Sequence, residues 1–231
     1  MTLPLQQDTI RNELLRSLSA ANFALLQPDL ERDSYEQGAV MEAPGVAISH
    51  IYFPEPGMIS VVAQTKSGVR VEAGVIGPEG MTGLAVLEGV DRSPHATFVQ
   101  IPCRAVRLEI AVFKHSTEAS RSLHAHLQLY AQTFSVQLAY SILCNGHFTI
   151  DQRLARWILM AHDRADREDL SLMPSVCRAG VTDPLASLEG TGAIKARRGG
   201  LSIRDRPRLV EQAGESYGAS EAEYARIMIQ A

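Results

Sequence analysis

Residues 115–146 read HSTEASRSLHAHLQLYAQTFSVQLAYSILCNG, and the fold turns on how that stretch is read. No proline or glycine interrupts it before Gly146. Leu123, Leu127, Tyr130 and Phe134 recur at steps of four, three and four, and the stripe runs on, less oily, through Gln137 and Ser141. Leu129, Thr133, Val136, Tyr140 and Leu143 form a second stripe, displaced around the helix. A surface helix needs one stripe to seat itself on its own domain, so two imply two buried contacts. The reading is a long helix that covers its own domain with one face and meets a second copy of itself with the other. Leu127 and Phe134 are expected to hold that pair. Ser116 or Thr117 would cap the start, and Cys144-Asn145-Gly146 would end the helix in a hinge.

Upstream of the helix, residues from about Thr9 to Leu26 read as one short helix with Ile10, Leu14, Leu15 and Leu18 on one side. From Ala39 to Ile110 the texture changes to short runs rich in Val, Ile and Phe, punctuated by Gly, Pro and Ser. Lys66-Ser67-Gly68 sits between two of these runs as a hairpin turn would. So many short strands without an intervening helix give an antiparallel roll of jelly-roll type. Downstream, Thr149 with Gln152 has the form of a capping box opening the helix TIDQRLARWILMAHDR. Asp166 to Asp169 is a polar loop, RAGVTDPLASLEGTGAI a short helix, and AIKARRGGLSIRD two strands around Gly199-Gly200. A Pro207-started helix and a last helix capped by Ser220 complete the chain. The class is α+β, divided into a helix and roll (1–115), the long helix and hinge (116–146), and a small helical domain with a wing (147–231).

The 231 residues are 45% hydrophobic and 21% charged, enough for two small cores. No basic head followed by an apolar run marks a secretory signal at the start. No stretch reaches the roughly 18 apolar residues of a membrane span. Cys103, Cys144 and Cys177 are scattered and never in CxxC, which fits a reduced cytoplasm and no structural zinc. The net charge of −4 does not announce a nucleic-acid binder, but between Lys195 and Arg208 six basic residues face one acid, Asp205. A basic end on a near-neutral chain is suited to phosphate. His124 and His126, two apart on a helix, cannot share a metal, and the roll lacks the clustered His and Glu of a metalloenzyme. An enzyme is not expected, and neither is a cofactor.

A roll, a long dimerising helix, a hinge, then helices and a wing resembles the Crp/Fnr family of bacterial transcription regulators. The resemblance rests on GVIGPEGMTGLAVL (74–87), DQRLARWILMAHDR (151–164) and RAGVTDPLASLEGTGAIKARRGGLSI (178–203). It implies a homodimeric regulator whose winged helix-turn-helix reads double-stranded DNA under a small-molecule effector, and it admits RNA polymerase as a contact. Carried onto this chain, Arg178 and Thr182 would touch bases or phosphates, and Lys195, Arg197 and Arg198 would hold the DNA backbone. Family members that bind cyclic nucleotides carry Gly-Glu-Leu followed some ten residues on by Arg-Ser. Here Arg92-Ser93 is present, but the Glu position falls on Thr82 or Gly83, so cyclic AMP is not expected to bind.

Three departures weaken the DNA reader. Only residues 170–177 separate Asp169 from Arg178, too few for the supporting helix and its turn. Pro184 inside a helix started near Arg178 would cost about 3 kcal/mol, and Asp183 adds a negative charge facing phosphates. The competing class is a dimeric sensor or interaction module that has lost sequence-specific DNA binding.

Overall fold

The protein was analysed as a computed structural model, which describes residues 4–165, 169–171, 182–197 and 199–229. After a 3-10 turn at Gln7–Thr9 come α1 (Glu13–Arg16), α2 (Ala20–Leu26) and a second such turn, then seven strands. These are β1 (Glu31–Tyr35), β2 (Val40–Glu42), β3 (His50–Pro54), β4 (Met58–Gln64), β5 (Arg70–Ile76), β6 (Ala96–Ile101) and β7 (Cys103–Glu109), with α3 (Leu84–Leu87) between β5 and β6. Two antiparallel sheets, β1-β7-β3 and β2-β6-β4-β5, form the expected roll. The β4–β5 hairpin turns at the expected place, with Gly68 at φ 87°. The single N-terminal helix expected over Thr9–Leu26 is instead broken. Asn12 caps α1 through Leu15 N–H and its amide donates to the carbonyls of Pro54 and Gly80, so the helix restarts where the roll holds Asn12.

Next come α4 (Ile110–Ala119), the long helix α5 (Arg121–His147) and α6 (Ile150–Arg164). The long helix starts later than the sequence suggests, because Ser116 and Thr117 lie inside α4. Ser120 is extended and its Oγ accepts from Leu123 N–H. The hydroxyls of Ser120 and Ser122 both donate to Asn22 Oδ1 on α2, at 2.9 and 3.0 Å, and pin the break. At the other end Asn145 and Gly146 stay helical; the stop falls at Phe148, and the Thr149–Gln152 capping box then opens α6 as expected.

The second domain continues with β8 (Asp169–Ser171), α7 (Thr182–Gly190), β9 (Ile194–Arg197), β10 (Gly200–Ile203), α8 (Arg206–Ala213) and α9 (Ala219–Ile229). The wing has three strands rather than two, in the order β8-β10-β9, because Asp169, the end of the expected loop, pairs with β10 together with Leu170 and Ser171. Pro184 is the third of the α7 residues that the structure describes and is buried. The residues before Thr182, on which the cost expected of Pro184 turns, lie outside the described residues. Ser220 does not cap the last helix but lies within it, after Gly218 at φ 102°. Of residues 170–177, where a supporting helix was expected to be missing, only 170 and 171 are described, and both lie in β8. No described helix is long and apolar enough to cross a membrane.

One stripe of α5 is buried in its own chain: Leu123, Leu127, Tyr130, Phe134 and Gln137. Leu127 and Phe134 therefore belong to the intrachain core, not to an exposed pairing face, which corrects the residues expected to hold a dimer. Gln137 explains why this stripe turns polar. Its Oε1 accepts from Val75 N–H at 2.7 Å and its Nε2 donates to Val75 O at 3.1 Å, completing the edge strand β5 as another strand would. The helix comes so near that a Cβ on Gly74 would lie 2.9 Å from Gln137 Oε1. Replacing Gln137 with Leu leaves both groups of Val75 unpaired. Urea unfolding should then show a loss of roughly 2–4 kcal/mol, and a change below about 1 kcal/mol would mean that water reaches this edge.

Candidate functional site

The roll encloses a cavity of about 230 Å³ between α3, β2, the β6 end and the face of α5 that carries Ala131, Phe134 and Leu138. Thr82, Gly83 and Ser93, three of the four residues singled out for an effector, line it. Arg92 is not among its walls: its guanidinium pairs with Asp91 at 2.9 Å and is half exposed. Thr82 is buried and its Oγ1 accepts from Tyr52 N–H at 3.1 Å. Gly83 sits at φ 77° immediately before α3, and a Cβ there would collide with Ile51 Cδ1.

What the sequence did not disclose is Glu42. Its Oε1 accepts from Gly83 N–H at 2.6 Å and its Oε2 from Thr97 Oγ1 at 3.2 Å. The N–H at the head of α3, the natural donor to an anion in this cavity, is thus already held by a carboxylate of the same chain. Burial raises the Glu42 pKa above its ordinary 4.5, although Gly83 N–H and the hydroxyls of Thr97 and Thr82 pull the other way. Glu88 and His95 also line the cavity, so its walls offer a negative and imidazole-bearing surface rather than a phosphate clamp.

The second candidate surface is the wing and the head of α7. Thr182 and Asp183 are exposed in the first turn of α7. Lys195 and Arg197 are exposed on β9, and Lys195 Nζ meets Glu189 Oε1 at 2.9 Å. Arg178 and Arg198 lie outside the described residues. Folding also brings a second acid to the basic run: Arg206 pairs with Asp163, while Arg208 pairs locally with Asp205, the acid already counted in the run.

The roll and the second domain are joined at the turn Gly77-Pro78-Glu79-Gly80. Arg164, at the end of α6, is buried and pairs with Glu79 at 2.6 Å, while its carbonyl accepts from Gly57 N–H. A Cβ on Gly77 would strike Arg164 Cγ, and one on Gly80 would strike Tyr130 Oη, so both glycines are needed for this approach. Tyr224 of α9 donates to Glu79 O at 3.1 Å, and Trp157 Nε1 donates to Glu72 Oε1 at 2.8 Å.

Comparison with solved structures places this architecture. A CRP-family transcriptional regulator of Thermus thermophilus is 16% identical, with 81% of this chain and 99% of that one covered at a TM-score of 0.67. The chain has the Crp/Fnr fold. A second regulator of the CRP/FNR family from the same organism is 18% identical at a TM-score of 0.61, covering 79% and 98% of the two chains. A c-di-GMP-responsive global regulator of Xanthomonas campestris is 14% identical at a TM-score of 0.60, covering 80% and 99%. No protein-family model and no curated protein sequence matches the chain.

Within this Crp/Fnr fold the Glu42 contact has a testable pH signature. A carboxyl whose folded pKa is raised contributes stability that is intact below its unfolded value and is lost as pH rises through the folded one. Glu42→Gln, which keeps an acceptor for Gly83 N–H without the charge, should therefore gain on the wild type as pH rises from 4.5 towards neutrality and approach it in acid. Urea midpoints of both proteins across that range read the effect. A difference independent of pH would show that Glu42 titrates as an ordinary carboxyl.

Proposed function

We propose that the protein is a cytoplasmic, non-enzymatic, homodimeric transcription regulator of Crp/Fnr type. Its roll would take a small effector and its second domain would contact double-stranded DNA. The observation that carries this reading is the arrangement of the second domain. A helix described from Thr182 to Gly190 leads directly into a β-hairpin with exposed Lys195 and Arg197, the whole packed on α6 and α8 and fastened to the long helix. Such a helix enters a groove while the wing holds the phosphate backbone. Arg178 and Arg198, outside the described residues, are proposed as further contacts on the strength of the sequence. RNA polymerase is a partner consistent with the reading.

The effector site is assigned to the roll cavity with Thr82, Gly83 and Ser93 in its wall; Arg92 joins it only by leaving Asp91. Because Glu42 already holds Gly83 N–H, the effector suited to this cavity is neutral or cationic rather than a phosphodiester. Effector binding against Ala131 and Leu138 would shift α5 and with it the second domain.

A second reading is a dimeric interaction module without sequence-specific DNA binding. It is favoured by Asp183 at the head of α7 and by the neutralisation of Lys195 by Glu189. One titration separates the two. Duplexes enriched from a random library by the protein are compared with the unenriched pool at physiological salt. A regulator of this type should prefer the enriched site by about 10³ or more. A ratio near one, with affinity collapsing as salt rises, is the behaviour of charge without base reading and would leave only the second.

A further inference from the structure

A second cavity, of about 240 Å³, lies outside the roll, between β5, the last turns of α5 and the first turns of α6. Arg153 and Arg156, three residues apart on α6, both line it. Arg156 is only 8% exposed, and its Nε and Nη2 are buried with no hydrogen-bond acceptor. A buried guanidinium with idle donors is costly, since each group lost its water without replacement. The carboxylate nearest in the wall, Glu72, is committed elsewhere: its Oε2 accepts from Ser60 at 2.5 Å and its Oε1 from Trp157 Nε1 at 2.8 Å. Burial also raises the Glu72 pKa, which reduces the charge it offers. Other polar groups of the wall are occupied too, Ser141 Oγ donating to Gln137 O and Cys144 Sγ to Ser216 O.

We infer that this cavity is a site for a small organic carboxylate, held by the fork of Arg156 with Arg153 beside it and its apolar body lying towards Val71 and Ile150. A guanidinium with two idle donors matches the two oxygens of a carboxylate. Val71 and Ile150 are exposed at 52% and 43%, so the cavity carries apolar surface that an inorganic ion would leave uncovered. The walls come from the roll, the long helix and α6 together, so an occupant would tie the angle between the domains to ligand concentration. This site is separate from the roll cavity and independent of DNA binding.

Trp157, the one tryptophan of the sequence, lines the cavity and reports on it directly. Its fluorescence in the full-length protein is titrated with phenylacetate, 2-phenylethanol and inorganic phosphate. Saturable change with phenylacetate is expected, with 2-phenylethanol and phosphate each weaker by roughly tenfold or more. Arg156→Gln should weaken phenylacetate by a similar factor while far-UV circular dichroism stays unchanged. Should that variant misfold, Asn145→Asp, which sets a negative charge at the exposed end of α5 beside the cavity, should weaken binding several-fold. The inference is overturned by no saturation up to about 10 mM, by equal affinity for the alcohol, by tighter binding of phosphate, or by unaltered binding in a folded variant.

Discussion

The ion pair between Arg164 and Glu79 is the contact on which the arrangement of the two domains depends. It joins the last turn of α6 to the turn after β5 at 2.6 Å, in a place from which solvent is largely excluded. Removing one partner of such a pair costs about 3–5 kcal/mol, because the other is left charged and dry. The surroundings are built to admit it: Gly77 leaves room for the Arg164 stem, Gly80 for the Tyr130 ring, and Tyr224 of α9 closes over the Glu79 carbonyl. Met58, Val75 and Ile101 of the roll share one apolar cluster with Ile158, Leu188 and Leu201 of the second domain. Roll, long helix and second domain are thus one packed body in this structure, and a signal that re-aims the second domain must work against these contacts.

The long helix serves the same body in a different way. Its buried stripe is read directly from the spacing of Leu123, Leu127, Tyr130 and Phe134, because helical periodicity is a local property. The role of Gln137 is not local: it depends on Val75, 62 residues away in sequence, having no strand on its free side. The break at Ser120 is equally hidden, since no glycine or proline marks it and Asn22 Oδ1 supplies the acceptor that holds it. The strands of the roll were legible from alternation and turn residues. The third strand of the wing was not, because Asp169 to Ser171 carry no strand signature and pair only when β10 arrives.

The two cavities show where residue patterns stop informing on chemistry. Thr82, Gly83 and Ser93 could be placed in one wall by resemblance, yet the residue that sets the charge there is Glu42, brought in from β2 by the roll. Arg92 has the right identity and a surface partner. Arg156 carried no signal of its own in the sequence, and burial against β5 leaves its Nε and Nη2 without acceptors. In each case the sequence supplied the residue and tertiary packing decided its electrostatics.

The account requires that α5 use its second face. Leu143 is 49% exposed and Leu129 37%, with Val136 and Tyr140 half-buried between them, so that face carries apolar surface that its own chain leaves partly open. Sedimentation equilibrium of the full chain at micromolar concentration tests this most directly. The expected mass is about twice the 25.2 kDa of one chain, falling to one chain when Leu129 and Leu143 are both changed to Glu, with the circular dichroism unaltered. A wild-type protein that sediments as a single chain throughout that range would contradict it.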